Sequence, residues 1–300
     1  MGYRQVYIKS ADKLSLMQEN IRVLRSNGEE LLLPISDISY ILIEDPNTIL
    51  TTCLITKLSE SGVSLVLCDS SYLPAAQVLP INTYFNQSRI LKLQVTSSKE
   101  LDDEIWKKII YQKITNQALC IEFTTTNQPL INTFHQYASS VTPGDAENRE
   151  GTTSKMFFRE LYGSEFVRFG SSSISSALNY GYSILHSSIV RHLASYGLNT
   201  CIGVWHDSDQ NAFNLASDFI EPFRPVVDLY VYWNLDKIQT PLSKEVRKDL
   251  INILNADIII DNKVTKVENA INVVVLSYIK CLENNSTKYL LLPQLMDNIE

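Results

Sequence analysis

Ser97-Ser-Lys-Glu100-Leu101-Asp-Asp-Glu-Ile105-Trp106-Lys-Lys-Ile109-Ile110-Tyr-Gln-Lys-Ile114 is where the chain changes period. Leu101, Ile105, Trp106, Ile109, Ile110 and Ile114 recur at intervals of one helical turn, so they share one side of a helix. Ser97-x-x-Glu100 has the capping-box pattern, in which a hydroxyl and a carboxylate satisfy free amides of a first turn. Helical patterning dominates from here to the end of the chain. The residues before it read as strands.

Upstream, Gln5–Ile8, Leu14–Met17, Ile21–Leu24, Leu31–Pro34, Ile38–Ile43 and Val63–Cys68 are short runs rich in β-branched and alternating apolar residues. Ser26-Asn27-Gly28 predicts a type I′ hairpin turn, whose two central positions both need positive φ. Ile49 to Leu58 has helical spacing and supplies one helix to this sheet. A loop around Tyr72-Leu-Pro74 and Leu79-Pro80 closes the region. Downstream, Thr142-Pro-Gly144 interrupts the chain, and a helix starting near Asp145 carries Glu150 early and Met156, Phe157 and Leu161 later. Ser175 to Tyr196 presents Leu178, Tyr182, Leu185, Ile189 and Leu193 on one face, with Gly197 placed to end that helix. A last helix is expected over Val264–Leu282, and Asp297–Glu300 reads as a loose end. The expected fold is α+β: a small N-terminal β-sheet domain over residues 1–80, then a larger all-helical domain over residues 81–300.

At 300 residues the chain has room for one large domain or two ordinary ones. Its net charge of −7 argues against a protein that coats nucleic acid nonspecifically, yet leaves room for a local basic groove. No run approaches the ~20 apolar residues of a membrane span. The start lacks the charged-then-apolar pattern of a signal peptide. The five cysteines, 53, 68, 120, 201 and 281, form no C-x-x-C pair. Reduced thiols and a cytoplasmic location, with no membrane partner, are the expectation.

One stretch carries candidate chemistry: His206, followed twelve residues later by Asp218-x-x-Glu221-Pro222. If Asn211 to Glu221 is one helix, Asp218 and Glu221 share a face, Pro222 ends it, and the preceding loop folds His206 over that face. An imidazole and two carboxylates can hold a hard divalent cation while other positions serve phosphate oxygens and water. The ordinary reading is a solvated acidic face and a hydrogen-bonded structural histidine. Glu150, in Asp145-Ala-Glu-Asn-Arg-Glu150-Gly-Thr-Thr-Ser-Lys155, has an ordinary reading too, as an acidic partner of a helix dipole. Spacing leaves both open.

Four ordered motifs go further. Asp145-x-x-Asn148-x-Glu150-Gly151, the Trp106…Lys113-Ile-Thr-Asn116-Gln117-Ala118 helix, Leu178-Asn179-Tyr180-Gly181-Tyr182, and Gly197-Leu198 through His206 to Asp218-x-x-Glu221-Pro222-Phe223-Arg224-Pro225-x-x-Asp228 resemble the CRISPR-associated adaptation integrase, the Cas-one protein family. The Glu-Pro-Phe-Arg-Pro form resembles its short members found with Cas-nine (type II) systems. The resemblance implies metal-binding and catalytic roles for Glu150, His206 and Glu221, and matches Asp218 to an acidic position that is a ligand in some relatives.

It implies a metal-dependent DNA integrase that joins prespacer DNA to a CRISPR array by 3′-OH transesterification, in spacer acquisition and antiviral defence. Mg²⁺ or Mn²⁺ is the implied cofactor. The implied partners are double-stranded DNA (prespacer and repeat), a second copy through the β-domain, the Cas-two protein, and other type II adaptation proteins. The alternative is a metal-dependent endonuclease that cuts without joining. Arg149, Lys155, Arg159 and Arg168 gather near Glu150 in the sequence and are candidate phosphate contacts. Because a ligating imidazole must be neutral, activity is expected to fall below the histidine reference pKa of ~6.5.

Overall fold

The computed structural model describes residues 4–70, 74–78 and 86–297. Its contacts divide the chain into two units, Met1–Phe85 and Asn86–Glu300. The boundary expected after residue 80 falls within 79–85, outside the described residues.

The first unit holds two four-stranded sheets rather than one. Its elements are β1 (Arg4–Ile8), β2 (Lys13–Met17), β3 (Asn20–Leu24), β4 (Glu30–Pro34), β5 (Ile38–Ile43), β6 (Ile49–Leu50), α1 (Thr52–Glu60), β7 (Ser64–Cys68) and β8 (Pro74–Val78). One sheet runs β1-β5-β7-β8, with β1, β5 and β7 parallel and β8 antiparallel to β7. The other runs β4-β3-β2-β6. β5 is buried along its whole length, which explains its unbroken apolar run. β3 alternates instead, burying Ile21 and Val23. Ile8, Leu14, Ile21, Ile41, Leu54 and Leu65 belong to one core.

Three local expectations change here. Ile49 and Leu50 pair with β2 as a short strand, and the helix begins only at Thr52, whose predecessor Thr51 caps it. Asn27 is not left-handed; only Gly28 is (φ 82), so the turn is not type I′. Pro74–Val78 is a sheet-edge strand where a loop was expected, and a proline is tolerated there because an edge strand's outer amides need no partner. The rest of that expected loop, at 71–73 and 79–80, lies outside the described residues.

The second unit is mostly helical: α2 (Gln87–Val95), α3 (Lys99–Phe123), α4 (Gln128–Ser139), α5 (Arg149–Tyr162), α6 (Ser173–Ser195), α7 (Asn214–Phe219), α8 (Arg224–Trp233), α9 (Lys244–Asn252) and α10 (Val267–Asn284). It is not all-helical, because β9 (Asp257–Ile260) and β10 (Lys263–Lys266) form an antiparallel hairpin. Val264 therefore lies in a strand, and the last helix starts three residues later than its apolar pattern suggests.

α3 is the axis on which the site is built. Its cap is Ser98, whose hydroxyl accepts from the Leu101 amide, while Ser97 donates to Asp102 instead. The predicted capping box therefore does not form: the cap sits one residue later, and its third helical position is Leu101, which has no carboxylate to return the bond. The expected stripe is buried, and it continues through Lys113, Asn116 and Gln117. Asn116 donates to the carbonyls of Pro222 and Pro293 and accepts from the Leu295 amide. One side chain thereby ties α3 to the chain just after Glu221 and to the C-terminal segment. At the end of α6, Gly197 is left-handed (φ 79) and its amide bonds back to Ala194.

Candidate active site

Glu150 is set by an unusually constrained helix start. Gly144, Asp145 and Asn148 all take positive φ, so the chain turns sharply before α5. Both carboxylate oxygens of Asp145 are consumed here, accepting from the Arg149 and Glu150 amides at 2.9 Å each. Asn148 Oδ1 accepts from the Gly151 amide. A Cβ on residue 151 would sit 2.7 Å from that same oxygen, so this position excludes any larger residue without moving the cap. Asp145, Asn148 and Gly151 thus form the frame that aims Glu150, and the helix begins at Arg149 rather than near Asp145.

His206 is set by a second frame. Residues 211–221 are not one helix: α7 starts at Asn214, and a single 3₁₀ turn, Glu221–Phe223, follows it. Asp218 is fully buried, and its oxygens accept the amides of Val204 (2.6 Å), Trp205 (3.2 Å) and His206 (3.0 Å). Asp218 Oδ1 also lies 2.6 Å from His206 Nδ1. Gly203 is needed at this crossing, since a Cβ there would approach the His206 carbonyl to 2.3 Å. Trp106 packs edge-on to the imidazole, and Trp205 stacks on Trp106 with ring centroids 5.6 Å apart. The ring is therefore held on one edge and one face, leaving Nε2 without a hydrogen-bond partner among the described residues. The Asp218 hydrogen bond pushes the His206 pKa up, and burial only partly opposes it. The reference value near 6.5 is thus too low a midpoint for this ring.

Glu150 and Glu221 meet at Lys113. The Lys113 ammonium contacts Glu150 Oε1 and lies 2.5 Å from Glu221 Oε2, although its own side chain is only 5% exposed. Arg224 Nε donates to the other Glu221 oxygen at 2.9 Å, and its guanidinium covers the Tyr182 ring at 4.5 Å. Burial would raise the Glu221 pKa, but Arg224 and Lys113 outweigh it and hold the carboxyl at about 2. Burial likewise opposes the Lys113 charge, and Glu221 and Glu150 overcome it, so the ammonium stays protonated.

Among the described residues, no three acidic, histidine or cysteine side chains already cluster as a ligand set. The two carboxylates converge on the ammonium, while His206 faces Asp218 and lies within electrostatic reach of Glu221. The chemistry of these groups fits a hard divalent ion. Two carboxylates converge on a position now held by a positive charge, and Glu221 Oε2 is buried with no aligned hydrogen bond. The ammonium stands where a cation is wanted.

Beside this point is a cavity of about 630 Å³, lined by Glu150, Glu221, Lys113 and Arg224 and also by Lys155, Arg159, Arg168, Phe158, Phe166 and Phe169. Arg168 lies over the rings of Tyr182, Phe169 and Phe158 and donates to Asn179. Three of the four predicted basic residues therefore line the cavity. Arg149 does not; it pairs with Glu147 and covers Tyr137. At the floor, Asp228 is buried, accepts from the Tyr182 hydroxyl, and is pushed by burial up to about 7.

Lys113 belongs to the α3 motif, and the motif alone gives it no role. The signal was there: a lysine on an apolar helical stripe must find a counter-charge.

The family model for CRISPR associated protein Cas1 matches residues 6–161 and 170–254. The chain belongs to the Cas1 family. A CRISPR-associated endonuclease Cas1 of Neisseria meningitidis serogroup C is 35% identical over 298 residues, covering 99% of this chain and 97% of that protein. A second Cas1 endonuclease, from Saccharolobus solfataricus, is 24% identical over 76% of this chain and 74% of its own length. The fold matches that of a casposase bound to integration product (TM-score 0.78, 21% identity, 96% of this chain and 92% of that one). It also matches a Cas1 protein from Thermotoga maritima (TM-score 0.76, 16% identity, 93% and 97%). The Cas1 resemblance read from the motifs holds, as does the order of sheets followed by helices, and the family's general role lies in CRISPR adaptation.

Proposed function

We propose that this Cas1 protein is a metal-dependent DNA integrase that inserts prespacer DNA into a CRISPR array by 3′-OH transesterification. The observation that carries the reading is the convergence of Glu150 and Glu221 on one cationic point at the wall of a basic cavity. When bound, Mg²⁺ or Mn²⁺ supplies Lewis-acid stabilisation of the charge that develops on phosphodiester oxygens. Glu150 and Glu221 are the anionic ligands, and His206 offers Nε2. Asp218 is an orienting residue rather than a ligand, because its oxygens already accept three backbone amides and face the ring's other nitrogen. Lys155, Arg159 and Arg168 hold backbone phosphates and so position the reacting phosphodiester in the cavity that the ion-binding carboxylates border. The attacking 3′-hydroxyl gives its proton to solvent as its oxygen forms the new P–O bond, and the bond to the target strand's 3′-oxygen breaks, that oxygen taking a proton from solvent to leave as a hydroxyl.

The proposed partners are duplex DNA (prespacer and repeat), a second copy of the chain through the β-domain, the Cas2 protein and other type II adaptation proteins. Structural neighbours include a Cas6-RT-Cas1–Cas2 complex and a Cas1–DNA complex, whose likeness of fold supports the DNA and Cas2 partners of this proposal. The second reading, cleavage without joining, draws on the curated relatives, which are named endonucleases. Both use the same groups and differ in the nucleophile, water or a 3′-hydroxyl. The deciding experiment incubates the protein and Cas2 with Mn²⁺, a duplex bearing free 3′ ends and a repeat-bearing plasmid. The expected result is duplex covalently joined to plasmid, abolished by Glu150→Ala and by Glu221→Ala. Hydrolysed fragments alone would favour the endonuclease.

A further inference from the structure

Lys113 is an expensive residue to bury, and its position asks for a purpose beyond packing. Its ammonium lies between the two carboxylates that face the cavity, and it lines that cavity itself. These four side chains balance without any ion, Glu150 and Glu221 against Lys113 and Arg224, while Lys155, Arg159 and Arg168 add further positive charge to the same cavity. Adding a divalent cation to this balanced set would leave two uncompensated positive charges in a mostly buried place. DNA phosphates are the groups that restore neutrality there. Lysine suits such an exchange, because a compact ammonium on a four-carbon stem can swing where a forked guanidinium is fixed by its geometry.

We infer that Lys113 is a resident counter-ion that holds the place of the divalent cation in DNA-free protein and releases the carboxylates when a DNA phosphate takes its charge. Divalent-ion binding and DNA binding are thereby coupled: each strengthens the other, by the same factor. The carboxylates stay paired and quiet until substrate arrives. This rests on the reading of Glu150 and Glu221 as ion ligands. A purely structural ion pair would also bind the ion more tightly once Lys113 is removed, simply because a repelling charge is gone, but it would leave any enhancement by DNA in place.

The test is Mn²⁺ binding to the full chain at neutral pH, followed by the loss of the free-ion electron paramagnetic resonance signal, with and without a duplex bearing free 3′ ends and after subtracting the Mn²⁺ taken up by the same duplex alone. Wild type is expected to bind Mn²⁺ roughly tenfold or more tightly with the duplex, the scale of one unit charge acting over a few ångströms in a partly screened site. Lys113→Gln is expected to bind Mn²⁺ more tightly than wild type without DNA and to lose most of the enhancement by DNA. Lys113→Arg keeps the charge in a fork that grips two carboxylates, and is expected to bind Mn²⁺ more weakly than wild type without DNA. Equal wild-type affinities with and without the duplex overturn the inference, even if Lys113→Gln does not fold. So does a folded Lys113→Gln that binds no more tightly than wild type. A Glu150→Ala/Glu221→Ala double variant separates the two ideas. If it binds Mn²⁺ like wild type, the ligand assignment itself fails. If it loses binding while Lys113→Gln behaves as wild type, the ligands stand and only the counter-ion role falls.

Discussion

At the scale of single residues, Asp218 and Asp228 show how similar buried carboxylates end with different work. Asp218 spends both oxygens on three amides and the His206 ring, so its effect on chemistry passes through the imidazole. Asp218→Asn keeps the shape but replaces one acceptor oxygen with an NH₂. Strand joining is expected to fall roughly 10- to 100-fold, the usual cost of losing a group that orients a ligand. Mn²⁺ affinity should weaken alongside, and a loss of joining without any change in Mn²⁺ binding would refute the orienting role.

Asp228 bears on stability instead. Burial lifts its pKa from an ordinary carboxylate value to about 7, so the folded protein keeps a proton that the unfolded chain releases near pH 4. The folded state binds more protons across that window, and stability is lost as pH rises from about 4 to about 7. Asp228→Asn cannot titrate and still accepts from Tyr182. Relative to wild type it should gain stability across that window, on the order of a few kcal/mol. Thermal melts of both proteins at matched pH values check this; parallel curves would show that Asp228 does not titrate there.

At the scale of elements, two frames fix the site and one of them was readable. The Asp145-x-x-Asn148-x-Glu150-Gly151 run was visible as a pattern, but its logic is backbone: Asp145 and Asn148 cap α5, and Gly151 makes room for the cap. Asp145→Ala removes two capping bonds and exposes the α5 start to fraying. It should cost about 1–2 kcal/mol in chemical denaturation. Strand joining should fall further than stability does, because Glu150 sits in that first turn. Full activity at native-like stability would show the cap to be dispensable.

The second frame was not readable as expected. Apolar spacing over 211–221 suggested one helix, yet Asn211 accepts the Phe213 amide and turns the chain, delaying α7 to Asn214. Asn214 then donates to the carbonyls of Cys201 and Ser208, pinning the loop that carries His206. Such side-chain-to-backbone bonds compete with helix formation without disturbing the apolar period.

At the scale of the whole molecule, the order of sheets then helices was legible because period 2 and period 3.6 leave different apolar patterns. The second sheet and the β9–β10 hairpin were not, since pairing depends on residues far apart and the hairpin's Val264 also fits a helical stripe. Charge was legible only as a total. A net −7 hides a cavity where Lys155, Arg159 and Arg168 stand together and Arg149 stands apart.

That separation makes a prediction about DNA binding. Each phosphate contact releases counter-ions, so it steepens the fall of affinity with salt by about 0.9 in a logarithmic plot. Duplex binding measured without divalent ion over a range of salt concentrations should give a shallower slope for Lys155→Ala, Arg159→Ala and Arg168→Ala, by about one each. Arg149→Ala should leave the slope at the wild-type value, because Arg149 does not line the cavity and its charge is paired with Glu147. Arg168→Ala should lose affinity beyond its share of the slope, since it also removes the cation that covers Tyr182, Phe169 and Phe158. Equal slopes for all four variants would mean that the cavity is not where the duplex backbone lies. The phosphates would then track another face of the molecule, and the carboxylates would need a different route to their substrate.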